Sequence, residues 1–212
     1  MDAIAALRAR RSCRHYLPDE IDADVLATVL GAARTAPSAG NTWALDLVVL
    51  EGFEQTAAYW DVTLPAGPRR DRFRWPGLLR APVLVLPVVD PGAYVRRYRE
   101  PDKAASGLGA GQEAWAVPYW WVDAGAAVMA MLVAAEAGGL GALLFGQFGH
   151  EAAVRSRFGI PADRLPVGTI ALGHPARSEG ASASASVRRR PRPALDEIVH
   201  RGGWRVRNEG EP

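Results

Sequence analysis

Residues 82–89 restrict the fold of this chain more than any other segment, because they are rich in β-branched residues and apolar on both faces of a strand. A strand of this kind is typical of the centre of a sheet that is covered by protein on both sides. The longest apolar stretch, residues 124–146, is interrupted by Glu136 and by three glycines near position 139. We interpret it as a buried helix followed by a turn and a strand, and not as a membrane span.

Length and composition agree with a single globular core. The chain has 212 residues, of which 49% are apolar and 23% charged, and these values exclude a disordered chain, a collagen and a coiled coil. Cys13 is the only cysteine, which rules out an intramolecular disulfide and a cysteine-based zinc site and fits a reducing compartment. The first residues show no basic region followed by a long apolar block, so we expect no secretory signal and a cytoplasmic protein.

Apolar periodicity, capping residues and glycines divide the rest of the chain into short elements. We predict helices over residues 2–10, 21–34 and 150–158, strands over residues 45–50 and 167–172, and a short strand or a loop over residues 140–145. Residues 56–64 are either a hairpin partner of the first strand or a helix. Residues 101–118 are rich in glycine and lack periodicity, which indicates a long loop that could gate a substrate site.

Asp123 is placed to cap the apolar helix, which runs to about residue 137. This helix is apolar all round, so protein should cover both of its faces. Further on, residues 177–187 are nearly all Ser, Ala and Gly, a composition typical of a flexible linker. We therefore predict one domain over residues 1–176, a linker over residues 177–187 and a tail over residues 188–212 that can dock at a distance, including on another subunit.

The basic residues are mostly arginines, and they are clustered. Of the 25 Lys and Arg residues only Lys103 is a lysine, and the formal net charge is only +2. The arginines concentrate around residues 8–14, 69–74 and 188–192. Planar guanidinium groups bind phosphate oxygens in pairs, so the clusters indicate local phosphate sites. The alternatives are a solvated basic surface, or a surface that binds nucleic acid or another anionic partner without catalysis.

Two segments carry candidate ligand-binding groups. The first combines three guanidinium groups and a hydroxyl group within five residues, a donor set that suits a dianionic phosphate: Arg10, Arg11, Ser12 and Arg14. The second, residues 36–41, is a turn of small residues whose backbone can approach a flat ligand while Ser38 and Asn41 hydrogen-bond to it. The chain has no nucleophile elbow, zincin helix, P-loop or complete dinucleotide-binding motif, and we expect no metal site.

Six segments in this order resemble the FMN-dependent nitroreductase family. They are Arg-Arg-Ser-x-Arg at residues 10–14, Ala-Pro-Ser-x-x-Asn at residues 36–41, the apolar helix leading into Gly-Leu-Gly at residues 139–141, Gly-Ile-Pro at residues 159–161, Ile-Ala-Leu-Gly-His-Pro at residues 170–175, and an Arg-rich tail running into residues 194–199. The resemblance spans nearly the whole chain. It implies an α+β fold, a three-layer sandwich with a central, mostly antiparallel sheet, which forms an intertwined homodimer with FMN in clefts at the subunit interface.

The resemblance also implies roles for individual residues. The phosphate and ribityl chain of FMN would be held by Arg10, Arg11, Ser12 and Arg14, and the phosphate site would be completed by Arg190 and Arg192. The isoalloxazine ring would be lined from the partner subunit by Pro37, Ser38, Ala39 and Asn41, and its reactive edge by Leu144, Phe145, Gly146 and Gln147. Apart from the resemblance, three aromatic residues suit either stacking on a planar substrate or ordinary packing at the start of the apolar helix: Tyr119, Trp120 and Trp121.

Members of this family take a hydride from NADH or NADPH onto FMN and pass it to a second substrate, so we expect an NAD(P)H-dependent flavoenzyme that reduces a nitroaromatic or a quinone. No catalytic protein acid, base or nucleophile is needed, because the cofactor supplies the redox chemistry. Asn41 is followed by Thr42 and Trp43, where many members have Gln-Pro-Trp. A specialised FMN dehydrogenase or ene-reductase of natural-product metabolism, similar to azoline oxidases, is the alternative enzyme. We expect a homodimer that acts on a small molecule, without a nucleic-acid or membrane partner.

Overall fold

The structure is a computed structural model that describes residues 2–176, 189–190 and 192–204. The chain divides into two compact units, Met1–Arg177 and Ser178–Pro212. The predicted linker over residues 177–187 lies outside the described residues, as do Arg188, Pro191 and residues 205–212 of the predicted tail.

Within its described residues, the first unit contains one antiparallel sheet and helices on both sides of it. The strands are β1 (Leu45–Glu51), β2 (Val83–Val89), β3 (Gly141–Phe145), β4 (Leu165–Pro166) and β5 (Thr169–Gly173). The α-helices are α1 (Ala3–Ala9), α2 (Ala23–Ala32), α3 (Gly52–Thr63), α4 (Pro68–Asp71), α5 (Pro91–Arg97), α6 (Tyr119–Ala137) and α7 (Glu151–Arg157). The strand order is β1-β2-β5-β3, with β4 paired to β2, and every pair of strands is antiparallel.

Strand β2 lies in the middle of the core, as its apolar sequence predicts. All seven of its residues are buried. Leu84 and Leu86 on one face pack in a cluster with residues of α3 and α7, whereas Val83 and Val85 on the other face pack with residues of α2 and α6. Alternate residues of a strand point to opposite faces, so the two clusters lie on opposite sides of the sheet. Helices on both faces of a sheet make three layers, which confirms the predicted fold class.

Local sequence explains where several helices begin. The Asp2 carboxylate accepts hydrogen bonds from the backbone N–H groups of Ile4 and Ala5 at 2.9 and 3.1 Å, and Asp22 caps α2 in the same way. Residues 56–64, for which the sequence allowed a hairpin strand or a helix, belong mostly to helix α3. Residues spaced three and four apart are buried on one face of it: Thr56, Tyr59, Trp60 and Thr63.

Helix α6 begins five residues earlier than predicted, at Tyr119, since a cap at Asp123 would start it at residue 124. The expectation that Asp123 caps it is wrong, because Pro118 occupies the capping position and Asp123 lies one turn inside the helix. The aromatic residues form its first turn instead of preceding it. Trp120 anchors this turn, since its ring packs against the rings of Tyr94 and Trp115 at centroid distances of 6.0 Å.

The expectation that protein covers both faces of α6 stays a prediction, because the described residues of one chain cover only one of the two faces. One face packs against α2 and the sheet, but Val122 is 50% exposed and Met129 is 37% exposed on the opposite face. By length and mean hydropathy α6 could also span a membrane, and 39% of the relevant window is buried in the fold. Core helices of folded proteins share these properties, so this observation alone does not indicate a membrane protein.

Residues 101–118 contain three short 3₁₀ turns: Ala104–Ser106, Leu108–Ala110 and Gln112–Ala114. The predicted lack of a longer helix or strand is confirmed here. The segment is nevertheless packed, because Trp115 is buried and its indole N–H donates a hydrogen bond to the carbonyl oxygen of Leu108 at 3.1 Å. Its predicted role as a gate stays a prediction.

The described residues of the second unit include a short helix, α8 (Leu195–Ile198). The rings of His200 and Trp204 stack in this unit with their centroids 4.4 Å apart. Arg190 and Arg192, the two predicted phosphate ligands of the tail, are both exposed.

Candidate active site

The arginine segment follows α1 and is held between β3 and the turn at Gly77. Ser12 forms a parallel bridge to Ala142, and the N–H of Cys13 donates to the carbonyl oxygen of Ala142 at 3.0 Å. Two glycines permit this close packing: a Cβ at Gly141 would lie 2.7 Å from Sγ of Cys13, and one at Gly77 would lie 3.0 Å from Cα of His15. The segment is therefore fixed at the edge of the sheet.

The guanidinium groups of this segment have different surroundings. Nη1 of Arg11 donates to the carbonyl oxygens of Arg8, Ala9 and Arg10, at 2.6, 3.1 and 2.9 Å. These carbonyl groups lie at the C-terminal end of α1, so Arg11 caps the negative end of the helix. Arg10 is half-buried, and among the described residues neither Arg10 nor Arg11 forms an ion pair with a carboxylate.

Arg14 shares an aromatic ring with Arg74, an arginine of the cluster at residues 69–74. Its Cζ lies 5.2 Å from the ring centroid of Trp75, and Cζ of Arg74 lies 5.2 Å from the same centroid. Two cations thus share one aromatic ring, and neither forms an ion pair with a carboxylate in the described part of the chain. The cluster at residues 69–74 was visible in the sequence, but the contact across Trp75 was not.

Cys13, within the same segment, is held as an unreactive thiol. Its Sγ donates to the carbonyl oxygen of His15 at 3.2 Å. Burial raises the pKa of the thiol above its usual range, against the opposing effects of this hydrogen bond, of Tyr16 and of the nearby charge of Arg14. A thiol with a raised pKa is a poor nucleophile at neutral pH.

The turn at residues 37–41 is held by hydrogen bonds from its own side chains and from two helices. Oγ of Ser38 accepts from the backbone N–H groups of Thr42 and Trp43, both at 3.1 Å. From α5, Nε of Arg97 donates to the carbonyl oxygen of Gly40 at 2.7 Å. Pro37 precedes Ser38 in the same turn, and neither residue is fully buried.

Asp123 connects this turn to the helices behind it. Its Oδ2 accepts from the N–H of Ala39 at 2.7 Å and from the hydroxyl group of Tyr94 at 2.8 Å. Burial, followed by the hydrogen bond to Asp123, raises the pKa of Tyr94 well above its usual range, so its hydroxyl group remains a donor. The residue predicted as a helix cap is instead the acceptor that orients the turn.

The backbone of the turn is strained. Gly40, Asn41 and Trp43 have φ angles of 64°, 56° and 51°. A bulky residue such as Trp43 rarely adopts this left-handed conformation, which costs about 1–3 kcal/mol and persists only where surrounding contacts impose it. The indole N–H of Trp43 donates to Oδ1 of Asn41, and the ring of Trp43 is 53% exposed. Strain of this kind is frequent at functional sites.

The segment at residues 144–147 follows the strand to which the arginine segment is joined. Leu144 is 42% exposed and Gly146 is exposed, so this end of β3 is open to a ligand. Phe145 instead stacks on Trp60, with ring centroids 5.8 Å apart.

Gln147 is buried beside this open edge, and one of its polar atoms is unsatisfied. Its Nε2 donates to the carbonyl oxygen of Gly168 at 3.1 Å and to Oγ1 of Thr169 at 3.0 Å. Its Oε1 has no hydrogen-bond partner among the described residues. Because buried polar atoms are nearly always paired, this acceptor is a sign of a ligand or water site.

The three aromatic substrate candidates have different environments. Trp120 is only 5% exposed and belongs to the core, so packing accounts for it. Tyr119 and Trp121 are 44% and 41% exposed. Tyr119 faces an open groove of about 480 Å³ that also includes Ala39 of the turn, whereas Trp121 does not line it.

The predicted site residues of the first unit therefore form two groups. Residues 10–14 and 144–147 belong to one group through β3, and residues 37–41 belong to the other through α5 and α6. No hydrogen bond or ion pair between described residues joins the two groups. Sequence reasoning missed that Arg74 and Arg14 meet at the ring of Trp75, and it missed the role of Asp123, since each depends on a contact between distant parts of the chain.

Comparison with known proteins agrees with this geometry. The sequence profile described as Nitroreductase family matches residues 7–174. A protein of Methanothermobacter thermautotrophicus, named as a candidate NADH dehydrogenase/NAD(P)H nitroreductase, is 27% identical over 184 residues, which cover 85% of this chain and 81% of that protein.

Solved structures show the same fold. The NfrA1 nitroreductase of B. subtilis superposes with a TM-score of 0.71 at 21% identity and covers 97% of this chain and 76% of its own. A nitroreductase family protein of Clostridium difficile 630 superposes with a TM-score of 0.68 at 20% identity and covers 96% of this chain and 100% of its own. Since the profile match extends over most of the chain, and the fold agrees independently, the protein belongs to the Nitroreductase family.

Proposed function

We propose that this oxidoreductase is an FMN-dependent enzyme that transfers a hydride from NADH or NADPH to a small planar acceptor, such as a nitroaromatic or a quinone. Family membership supports an oxidoreductase, and the relative from M. thermautotrophicus carries a name that refers to NAD(P)H. When bound, FMN supplies the redox chemistry by accepting the hydride at N5 and donating it to the acceptor.

The observation that carries the proposal is a set of guanidinium groups without carboxylate partners, which lie in and beside one segment of the chain. Arg10, Arg14 and Arg74 lie in or against one segment, and none forms an ion pair among the described residues. Uncompensated cations in a fixed arrangement favour an anionic ligand such as a phosphate group. This donor set fits the phosphate group of FMN, with Ser12 adding a hydroxyl group. The phosphate-binding roles of Arg190 and Arg192 in the tail stay predictions.

The role of Arg11 in this proposal is indirect. Because its Nη1 caps α1, Arg11 fixes the direction in which the chain leaves the helix and so positions Ser12 and Arg14. Arg14 and Arg74 supply positive charge that would stabilise a reduced, negatively charged flavin. The chain's own residues thus bind and orient, and no protein acid or base needs to change its protonation state.

The open end of β3 and the strained turn suit the two sides of a flat ring. We propose that Leu144, Phe145, Gly146 and Gln147 border the reactive edge in one subunit, and that Pro37, Ser38, Ala39 and Asn41 line the ring from the partner subunit. The two groups have no polar contact with each other among the described residues, which is the arrangement expected if each group completes the site of a different subunit.

The visible absorption spectrum of the purified protein tests the proposal first. We expect bound flavin, released on denaturation as FMN, and bleaching of its colour when NADH or NADPH is added without oxygen. A flavin-loaded protein that neither nicotinamide bleaches would support the dehydrogenase alternative. A colourless protein that does not take up FMN would contradict the proposal, and retention on a nucleic-acid column that falls steeply with salt would then favour an anion-binding function.

A further inference from the structure

Trp43 has a conformation that packing explains only in part. Its φ angle of 51° is one that a bulky residue rarely adopts, and about half of its surface is exposed. Two polar contacts hold it: its backbone N–H donates to Oγ of Ser38, and its indole N–H donates to Oδ1 of Asn41. The strained backbone therefore brings the indole group of Trp43 to the side chain of Asn41.

The indole group determines which way the amide of Asn41 is turned. An indole N–H can only donate a hydrogen bond, so the amide atom that faces it is the oxygen, Oδ1. A free asparagine amide rotates and presents either its oxygen or its nitrogen to a ligand. In this turn the rotation is blocked, and the cost of ordering the amide is met before a ligand binds.

Nδ2 of Asn41 is left as a donor without a partner. The backbone N–H of Asn41 donates to the carbonyl oxygen of Ser38 at 2.8 Å, and Oγ1 of Thr42 donates to the carbonyl oxygen of Ala39 at 2.5 Å. Nδ2 of Asn41, in contrast, forms no hydrogen bond with another described residue, and Asn41 is exposed. The turn thus presents an N–H donor of fixed orientation to whatever binds against it.

We propose that Trp43 is a positioning residue, which fixes the amide of Asn41 so that Nδ2 donates a hydrogen bond to a carbonyl oxygen of the flavin ring in the partner subunit. This inference rests on the proposed function, in which Asn41 lines that ring. A reversed amide would bring Oδ1 against the carbonyl oxygen, and two acceptors repel each other. Reduction of the flavin increases the negative charge on its oxygens, so a fixed donor stabilises the reduced form more than the oxidised form.

The test measures the midpoint potential of FMN bound to the enzyme, by anaerobic titration against a reference dye. A change in this potential gives the change in the ratio of the affinities for reduced and oxidised FMN. Trp43→Phe keeps an aromatic ring and the strained backbone but lacks the indole N–H. We expect it to lower the preference for reduced FMN by about fivefold, as the loss of one hydrogen bond predicts. The control is Phe53→Leu, at an exposed position of α3, which should leave the potential unchanged.

Two further variants separate positioning from stability. Trp43→Ala and Trp43→Gly both remove the indole group, but only glycine adopts a positive φ angle without strain. Trp43→Gly should therefore resist urea better than Trp43→Ala, while both show the same change in potential as Trp43→Phe. If Trp43 served stability alone, the potential would follow the stability and differ between the two variants, which would overturn the proposal.

A double-mutant cycle tests whether Trp43 acts through Asn41. Asn41→Gly removes the amide at a positive φ angle that glycine tolerates, and it should lower the preference for reduced FMN by itself. In this background Trp43→Phe should cause no further change. A parental potential in either single variant, or a full effect of Trp43→Phe without Asn41, would overturn the proposal and leave the proposed function intact. Failure of FMN binding or of bleaching in the parent is a separate result, which would contradict the proposed function itself.

Discussion

At the scale of single residues, Asp123 determines the geometry of the candidate flavin turn. It is 84 residues away from Ala39 in the chain, yet its carboxylate accepts the N–H of Ala39 and the hydroxyl group of Tyr94. We expect Asp123→Ala to lower the free energy of unfolding by about 1–3 kcal/mol, because both donors lose this acceptor. Urea unfolding at pH 7 measures the change.

The matched control for Asp123 is Tyr94→Phe. This substitution removes one of the two donors and leaves the hydrogen bond between Asp123 and Ala39 in place. We expect a smaller loss of stability than for Asp123→Ala, and a visible flavin spectrum closer to that of the parent. An Asp123→Ala protein with the stability and spectrum of the parent would show that the turn does not depend on this carboxylate.

Substitution of Gly40 separates two costs in the turn, that of a strained backbone and that of a steric clash with a neighbouring side chain. Gly40 and Gly52 both have positive φ angles, of 64° and 76°. A Cβ at Gly40 would lie 2.8 Å from Cε2 of Tyr98, whereas a Cβ at Gly52 would have no heavy atom within 4 Å. Gly52→Ala should cost about 1–2 kcal/mol of unfolding free energy for the backbone alone, and Gly40→Ala should cost more.

The visible flavin spectrum separates the two glycine variants further. A Cβ at Gly40 would press on the ring of Tyr98 beside the turn that is proposed to line the flavin ring, so Gly40→Ala should also change this spectrum, and Gly52→Ala should not. Thermal unfolding and visible absorption measure the two effects. Equal losses of stability in both variants, with the flavin spectrum of the parent, would mean that Tyr98 adapts at no cost.

At the scale of elements, Asp90 holds helix α5, which carries Tyr94 and Arg97 and is followed by Tyr98. Oδ1 of Asp90 accepts from the N–H of Ala93 at 3.2 Å, and Oδ2 contacts Arg96 at 2.7 Å and Arg164 at 3.2 Å. Burial alone would raise the pKa of Asp90, but the hydrogen bonds from Arg96 and Ala93 and the charge of Arg164 outweigh it and lower this pKa below its usual range.

This lowered pKa predicts a pH dependence. A carboxyl group with a folded-state pKa below its unfolded value, which is about 3.9 for Asp, stabilises the fold above that pH, and the contribution is lost as the pH falls through the folded-state pKa. We therefore expect the unfolding free energy of Asp90→Asn to fall less than that of the parent between pH 5 and pH 2, as measured by urea titration. Asp102→Asn is the control: Arg97 lowers the pKa of Asp102 too, but the Asp102 side chain is exposed, so its effect should be smaller.

The elements that the sequence predicted well are those with a local cause. Asp2 and Asp22 cap their helices through the next few residues, and β2 is buried because each of its side chains is apolar. The start of α6 was misplaced because Trp120 is secured by rings of α5 and of residue 115, which no local pattern reveals. The choice between a strand and a helix near residues 52–63 was left open for a different reason. The buried face of this helix includes two threonines, which a search for periodic apolar residues does not detect.

At the scale of the whole molecule, the site was predictable as a list of segments but not as a set of contacts. The order of six motifs led to the family, which the profile match and the solved structures then established. The motifs did not reveal that Arg11 caps a helix, that Arg74 joins Arg14 at Trp75, or that Asp123 orients the turn. Each of these contacts depends on the folded chain. A charged side chain has several possible partners, and the sequence alone does not show which of them it contacts.

The exposed apolar faces of α6 and α1 lead to a prediction about assembly. Val122 and Met129 of α6, and Ile4 and Leu7 of α1, are between 37% and 56% exposed. Neighbouring exposed apolar side chains of this kind indicate an interface, and the family fold typically forms dimers. We expect sedimentation equilibrium to give a mass of about 45 kDa, twice the 22.7 kDa of one chain.

Because we propose that each flavin is held by residues of both subunits, separation of the subunits should release it. We expect Met129→Asp to produce a folded monomer with little bound flavin, since a carboxylate in an apolar interface is desolvated without a partner. Phe53→Asp, which places the same charge on an exposed aromatic position of α3, should remain a dimer with its flavin. For the parent protein, dilution below the dimer dissociation constant should raise the fluorescence of free FMN in parallel with the loss of dimer. A monomeric Met129→Asp protein that retains its flavin would place the complete site within one chain, and the turn at residues 37–41 would then need another role.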